Sequence, residues 1–314
     1  MIKPHDDSGG EQFKDVGRGI VLCYEEFGDP ADPPVLLVMG LATQMIAWHE
    51  DFCEELVGRG FHVVRFDNRD IGRSTHVDNR PPTTKELLLR RAPPGQYTLS
   101  DMAEDTGALM RELDIAPAHV VGVSMGGMIS QMLAAEHPEQ VRSLTSIMSN
   151  TGSRWNGQPA PAVLRQMLKR PPATREEVVE RAALIFGIVG SKGLHDEEHI
   201  REMADRSWER NHDPRGPGRQ LGAIIATGDR TPKLRQIQVP TLVMHGTRDK
   251  LIRPSGGRAT AKAIPGARLI KVEGMGHDLP RPLWSTLIDE IAGHAKSADH
   301  ASQVSVPGAA AASP

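Results

Sequence analysis

Short apolar runs of strand length recur along this chain, separated by stretches with helical spacing. Residues 35–39 (Val-Leu-Leu-Val-Met) are continuously apolar, as expected of a strand covered on both faces. Residues 19–27, 62–66, 119–123, 141–148, 240–244 and 268–272 read as further strands. Residues 48–58 have helical spacing and end on Gly58. Residues 99–113 carry apolar Met102, Ala103, Leu109, Met110 and Leu113, with Ser100 as the expected N-cap. An apolar helix is expected over 128–135 and a last one over 283–294. Strand and helix alternate, which predicts an α/β fold with a mostly parallel central sheet and crossover helices.

Over residues 150–237 strand-like runs give way to Pro, Gly and charged helical stretches, of which 175–186 and 197–210 are the clearest helices. This predicts a helical insert between sheet strands, acting as a cap. The expected organisation is a lead-in over 1–18, a core over 19–149 and 238–296, the cap between, and a disordered Ala/Ser/Pro-rich tail over 297–314. Residues 85–91 (Lys-Glu-Leu-Leu-Leu-Arg-Arg) form a short basic amphipathic piece between proline pairs. It reads as a solvated surface helix, or as a piece near a pocket mouth or a lipid surface.

Composition adds limits. A chain of 314 residues holds one large α/β domain, or a domain plus an insert. Its formal net charge of −3 gives no sign of nucleic-acid binding or of a strong attraction to anionic membranes. The two cysteines, Cys23 and Cys53, make no disulfide scaffold and read as buried thiols. No run approaches a membrane span, and the polar first 18 residues lack a signal-peptide core, so a cytoplasmic location is expected.

The chemistry centres on residues 119–127, His-Val-Val-Gly-Val-Ser-Met-Gly-Gly. A β-branched run enters this Gly-x-Ser-x-Gly motif and an apolar helical run leaves it. A serine on such a strand–turn–helix junction needs small neighbours, which Gly122, Gly126 and Gly127 supply. The alternative is an ordinary glycine turn. A nucleophilic Ser124 needs a base, an orienting acid and an oxyanion site. Among 13 histidines, His277 lies in the glycine-rich loop 274–280, just past the last strand. Asp249 follows the 240–244 strand in the same way, and Asp278 is a rival acid whose shared backbone with His277 restricts its reach. The chain order Ser124, Asp249, His277 is that of nucleophile-elbow hydrolases. The oxyanion donors are expected to be the N–H groups of Met125 and Leu41, with Gly40 allowing close approach; Gly40 otherwise reads as a simple strand end. Met39, Met125, Met148, Met244 and Met275 fall at predicted strand ends. They suggest an adaptable apolar pocket, with Met39, Gly40, Met148 and Met275 as substrate-binding candidates.

These motifs resemble the α/β-hydrolase fold, and within it serine carboxylesterases and lipases of the aclacinomycin methylesterase type. The resemblance covers roughly residues 15–296. It rests on 38–41 (Val-Met-Gly-Leu), 67–74 (Asp-Asn-Arg-Asp-Ile-Gly-Arg-Ser), 97–105, 122–128 (Gly-Val-Ser-Met-Gly-Gly-Met), 246–254 and 274–280 (Gly-Met-Gly-His-Asp-Leu-Pro). Many relatives carry His-Gly where this chain has Met39-Gly40, which should keep the backbone donor and make the pocket rim apolar. The expectation is a serine hydrolase acting on a small-molecule carboxylic ester, with neither metal nor organic cofactor. Thioester, amide, lactone or phospholipid hydrolysis, a cofactor-free perhydrolase and a non-catalytic binding protein are the alternatives. Epoxide hydrolases and dehalogenases fit less well, because they use Asp where Ser124 stands.

Three other features are set lower. The charged loop 67–74 reads first as a hydrogen-bonded brace for a strand end. His195 and His199 share the spacing of a metal pair, but Asp196 stands where a zincin needs Glu. Gly256-Gly257 lacks the Gly-Lys-Ser/Thr of a phosphate loop and reads as a helix start.

Overall fold

The computed structural model describes residues 10–304 except Leu168, Pro171 and His195. Eight strands form one sheet: β1 (Gln12–Asp15), β2 (Val21–Phe27), β3 (Pro34–Val38), β4 (His62–Phe66), β5 (Ala118–Val123), β6 (Val141–Ile147), β7 (Thr241–Gly246) and β8 (Arg268–Val272). Their order is β1-β2-β4-β3-β5-β6-β7-β8. β2 is antiparallel to β1 and β4, and every other pair is parallel. All strands from β3 onward therefore end at one edge, and the loops that leave them meet there.

The apolar runs are continuous because both sheet faces are covered. Along β3, Val35 and Leu37 join one core cluster while Leu36 and Val38 join the other. The first cluster packs under helix α1 (Glu50–Val57), through Phe52 and Leu56. After the short α2 (Thr84–Leu88), helix α3 (Leu99–Glu112) covers the opposite face with α4 (Met125–Glu136), through Met102, Leu109, Met128 and Ile129.

Between β6 and β7 lie α5 (Pro161–Met167), α6 (Arg175–Val189), α7 (Glu197–Arg210), α8 (Gly216–Thr227) and α9 (Thr231–Leu234). Two of these were expected; the shorter α5 and α9 and the glycine-rich α8 carry too little periodicity to be read in isolation. Helices α10 (Ser255–Ala263) and α11 (Trp284–Val304) complete the described chain.

Four local expectations are corrected. The lead-in contains β1, which pairs with β2 from Gln12↔Tyr24 to Asp15↔Val21. Helix α1 starts at Glu50 because His49 is its cap, accepting from the Asp51 N–H at Nδ1, while Trp48 is fully buried before it. Thr98, not Ser100, caps α3: it accepts from the Asp101 N–H, and Asp101 accepts from the Thr98 N–H at 2.7 Å. Ser100 instead donates to Glu136. Finally, α11 runs to Val304, through the start of the expected disordered tail. Ala295 and Ala298 are buried, and Asp299 reaches the buried His119 of β5 at 3.2 Å, which ties the extra turns to the core. The rest of the tail, and residues 1–9 of the lead-in, lie outside the described residues.

Both thiols are buried and unpaired. Burial raises both, that of Cys53 to about 12, so each behaves as a small core residue. Among the described residues no helix is long and apolar enough to cross a membrane, and no acidic, His and Cys group is disposed to hold a metal ion. His195, one half of the metal-spaced pair, lies outside them; Asp196 caps α7 by accepting from the His199 N–H.

Candidate active site

Ser124 stands between β5 and α4 with φ 56° and ψ −116°, a strained conformation for a residue with a side chain. Sterics hold it there. A Cβ on Gly122 would collide with the Gly126 carbonyl and Ser130 Oγ, and one on Gly126 with the Val38 carbonyl. The two glycines thus let the start of α4 press against the ends of β5 and β3. This packing raises Ser124 above the sheet edge.

The three sequence-predicted side chains are brought together there. Ser124 Oγ lies 3.0 Å from His277 Nε2, and His277 Nδ1 lies 2.7 Å from Asp249 Oδ2. With the imidazole proton on Nδ1, the ring donates to Asp249 and its Nε2 accepts from Ser124. Asp249 is buried, and its second oxygen accepts from the Leu251 and Ile252 N–H groups at 2.9 Å each. Burial alone would push this carboxyl up. His277, through charge and hydrogen bonding, and His245, 3.4 Å away, outweigh it and hold the group at about 2. An acid lowered in the native state stabilises it above the ordinary carboxyl value and loses that contribution as pH falls toward 2. Between pH ~4 and ~2 the melting temperature of wild type should therefore fall more steeply than that of Asp249→Asn, which thermal melts across that window would show.

The rival acid points elsewhere. Asp278 accepts from the Ser191 N–H at 2.9 and 3.0 Å and from Ser191 Oγ at 2.6 Å. Ser191 Oγ accepts in turn from the Gly276 N–H at 2.8 Å, and the His277 N–H donates to the Val189 carbonyl at 2.8 Å. The segment that ends α6 thus grips the histidine loop on both sides of His277. Ser191 was not foreseen; a lone serine in a helical insert carries no sequence signal, and only the fold brings it 85 residues back to Gly276. Ser191→Ala should lower kcat by between ~10- and ~100-fold with KM nearly unchanged, because it loosens the ring's placement and not the substrate's. Steady-state kinetics on one ester would separate the two constants.

The opposite wall is the loop after β3. A Cβ on Gly40 would lie 3.2 Å from Ser124 Cβ, so this glycine does permit close approach. Neither the Leu41 nor the Met125 N–H has an acceptor among the described residues. Asn68 Nδ2 donates to the Met39 carbonyl at 3.0 Å, and Ala42, at φ 61°, donates its N–H to Gln220 Oε1 at 2.9 Å. Gln220, fully buried on α8, donates from Nε2 to the Arg69 carbonyl at 2.8 Å. Asp67 accepts from the Met45 N–H at 2.7 Å and pairs with Arg210 of α7 at 2.9 Å. The charged loop 67–74 is thus the brace that its composition suggested, joining this wall to the insert.

The methionines are deeper than a shared pocket lining would require. Met39, Met148, Met244 and Met275 sit in the core cluster under α1, Met125 sits in the other, and none is more than 5% exposed.

Residues 33–280 match the family described as alpha/beta hydrolase fold. The chain is similar to rhodomycin D methylesterase DnrP of Streptomyces peucetius, at 29% identity over 301 residues, covering 89% of this chain and 96% of that protein. It is also similar to 3-oxoadipate enol-lactonase 2 of Acinetobacter baylyi, at 24% identity over 83% of this chain and 89% of the other. Among solved structures, esterase RhEst1 from Rhodococcus sp. aligns with a TM-score of 0.74 at 18% identity, over 92% of this chain and 99% of that one, a likeness of fold. With the family match running from β3 through the elbow to the histidine loop, this chain belongs to the α/β-hydrolase fold family.

Proposed function

We propose that this protein is a serine hydrolase of carboxylic esters. The observation that carries the reading is the unbroken chain Ser124 Oγ–His277 Nε2, His277 Nδ1–Asp249 Oδ2, at 3.0 and 2.7 Å, with the serine on a strained elbow. Ser124 attacks the ester carbonyl while His277 Nε2 takes its proton. Asp249, ionised, holds the ring and stabilises the imidazolium. The tetrahedral oxyanion is held by the N–H groups of Leu41 and Met125, the second at the start of α4, where the helix end favours negative charge. His277 then gives its proton to the leaving alcohol, an acyl-Ser124 ester remains, and water deprotonated by His277 releases the acid.

Support for an ester comes from the names of similar proteins, a methylesterase and an enol-lactonase. An apolar ester suits the partly buried Leu41 beside Gly40, at the wall that faces Ser124. The reading is tested with a panel of methyl, short-acyl and long-acyl esters, a lactone and a thioester. Turnover of the oxygen esters, with pre-steady-state release of one alcohol per enzyme, is the expected result. Thioester turnover alone, or halogenation only with added peroxide, would replace the ester assignment with another reaction of the same three residues.

A further inference from the structure

The described residues leave seven large hydrophobic side chains exposed, and four of them lie in two short segments. Leu88 and Leu89, at 70% and 54% exposure, end α2 and follow it. Trp155, at 82%, stands in the loop after β6, and Leu164, at 48%, on α5. A tryptophan so bare is costly in water unless something covers it.

The two segments are joined. Arg90 Nη2 donates to Gln158 Oε1 at 3.0 Å, and Gln158 Nε2 donates to the Ser153 carbonyl at 3.0 Å and the Asn156 carbonyl at 3.4 Å, on either side of Trp155. Both leave the same sheet edge as Ser124, one beyond β4 and the other beyond β6.

Their charge is as uneven as their polarity. Residues 80–91 and 150–170 hold eight Lys/Arg against a single Glu, in a chain whose formal net charge is −3. That Glu86 is neutralised by Arg80 at 2.7 Å. Lys85, Arg91, Arg154, Arg165 and Lys169 are exposed and have no carboxylate partner among the described residues. Exposed Trp and Leu alternating along the same two segments with cations that lack a carboxylate partner match an interface with an apolar interior and an anionic surface: the apolar side chains enter the headgroup layer while the cations meet lipid phosphates. A soluble acidic protein would answer the charge but not the bare Trp155, and a second copy would bring the same positive charge against itself.

We propose that this face docks the protein on anionic lipid bilayers, turning the Ser124 edge of the sheet toward the membrane. The surface is read without turnover, so it stands or falls independently of the esterase assignment. The test is co-sedimentation of the whole protein with vesicles of phosphatidylglycerol and phosphatidylcholine, against phosphatidylcholine alone, at low and high salt. Binding to the anionic vesicles, weakened by salt, is expected. Arg91→Glu with Arg154→Glu should cut the partition coefficient at least ~30-fold. Leu88→Asp with Trp155→Asp should abolish it, with both double variants keeping the wild-type melting temperature. Equal binding to both vesicle types, no binding at low salt, or undiminished binding by folded variants would overturn the proposal. So would a dimer in size-exclusion chromatography that the Trp155 variant dissociates, since the face would then belong to a second copy.

Discussion

Ser124→Ala should lower kcat for ester hydrolysis by roughly 10³-fold or more and leave the fold in place. The hydroxyl makes no cap bond within α4, and its one hydrogen-bond partner among the described residues is His277 Nε2. Alanine meets the same strain at φ 56° as serine, so the elbow gains no new stress. What is lost is the covalent route, while the Leu41 and Met125 N–H groups and the binding surface remain. KM should therefore move much less than kcat, and some turnover above water should persist. Steady-state kinetics with a thermal melt on the same sample checks both halves. Turnover near wild type would mean that the chemistry lies elsewhere.

Arg219→Leu should cost about 3 kcal/mol of stability, a loss that thermal or urea unfolding would read. Arg219, on α8, is fully buried and lies 2.7 Å from both Asp70 Oδ1, itself fully buried, and Asp213 Oδ2. Burial disfavours the guanidinium charge, but hydrogen bonding to the two carboxylates outweighs this and raises the group above its ordinary value. Removing the cation strands the Asp70 carboxylate in the interior, where among the described residues only the Val77 N–H then donates to it. The consequence reaches the site, because the next residue, Gln220, accepts from the Ala42 N–H in the loop after β3 that faces Ser124. Activity should fall before the global melt as temperature rises. A change in midpoint of less than ~0.5 kcal/mol equivalent would show that the pair is not what locks the insert to the core.

The sheet and the three side chains that meet at its edge were legible for one physical reason: a parallel strand covered on both faces must be apolar throughout, and its loop must leave at the carboxyl edge. Runs such as 35–39 and 119–123 therefore gave both the strand and the place of the next polar group. Asp249 and His277 could be picked out from many acids and 13 histidines by that position. The site's supports were not legible in this way. Ser191, Gln220 and Asn68 act across 29 to 178 residues through side-chain hydrogen bonds, and nothing local to them differs from a surface polar residue. Helix ends failed for a different reason. Ser100 and Thr98 are both good caps in sequence, and the reciprocal bond with Asp101 decides between them. Residues 297–304 carry no apolar periodicity to mark them as helix, and Asp299 on buried His119 is what draws them into α11.

An activated Ser124 is expected to react covalently with an electrophile that reports on serine nucleophiles. The purified protein is incubated with a fluorophosphonate, and the modified peptide is identified by mass spectrometry, alongside Ser124→Ala and His277→Ala. A single adduct on Ser124 is expected, formed in wild type, absent in the serine variant and strongly slowed in the histidine variant. An adduct on another residue, or unchanged labelling in Ser124→Ala, would contradict it.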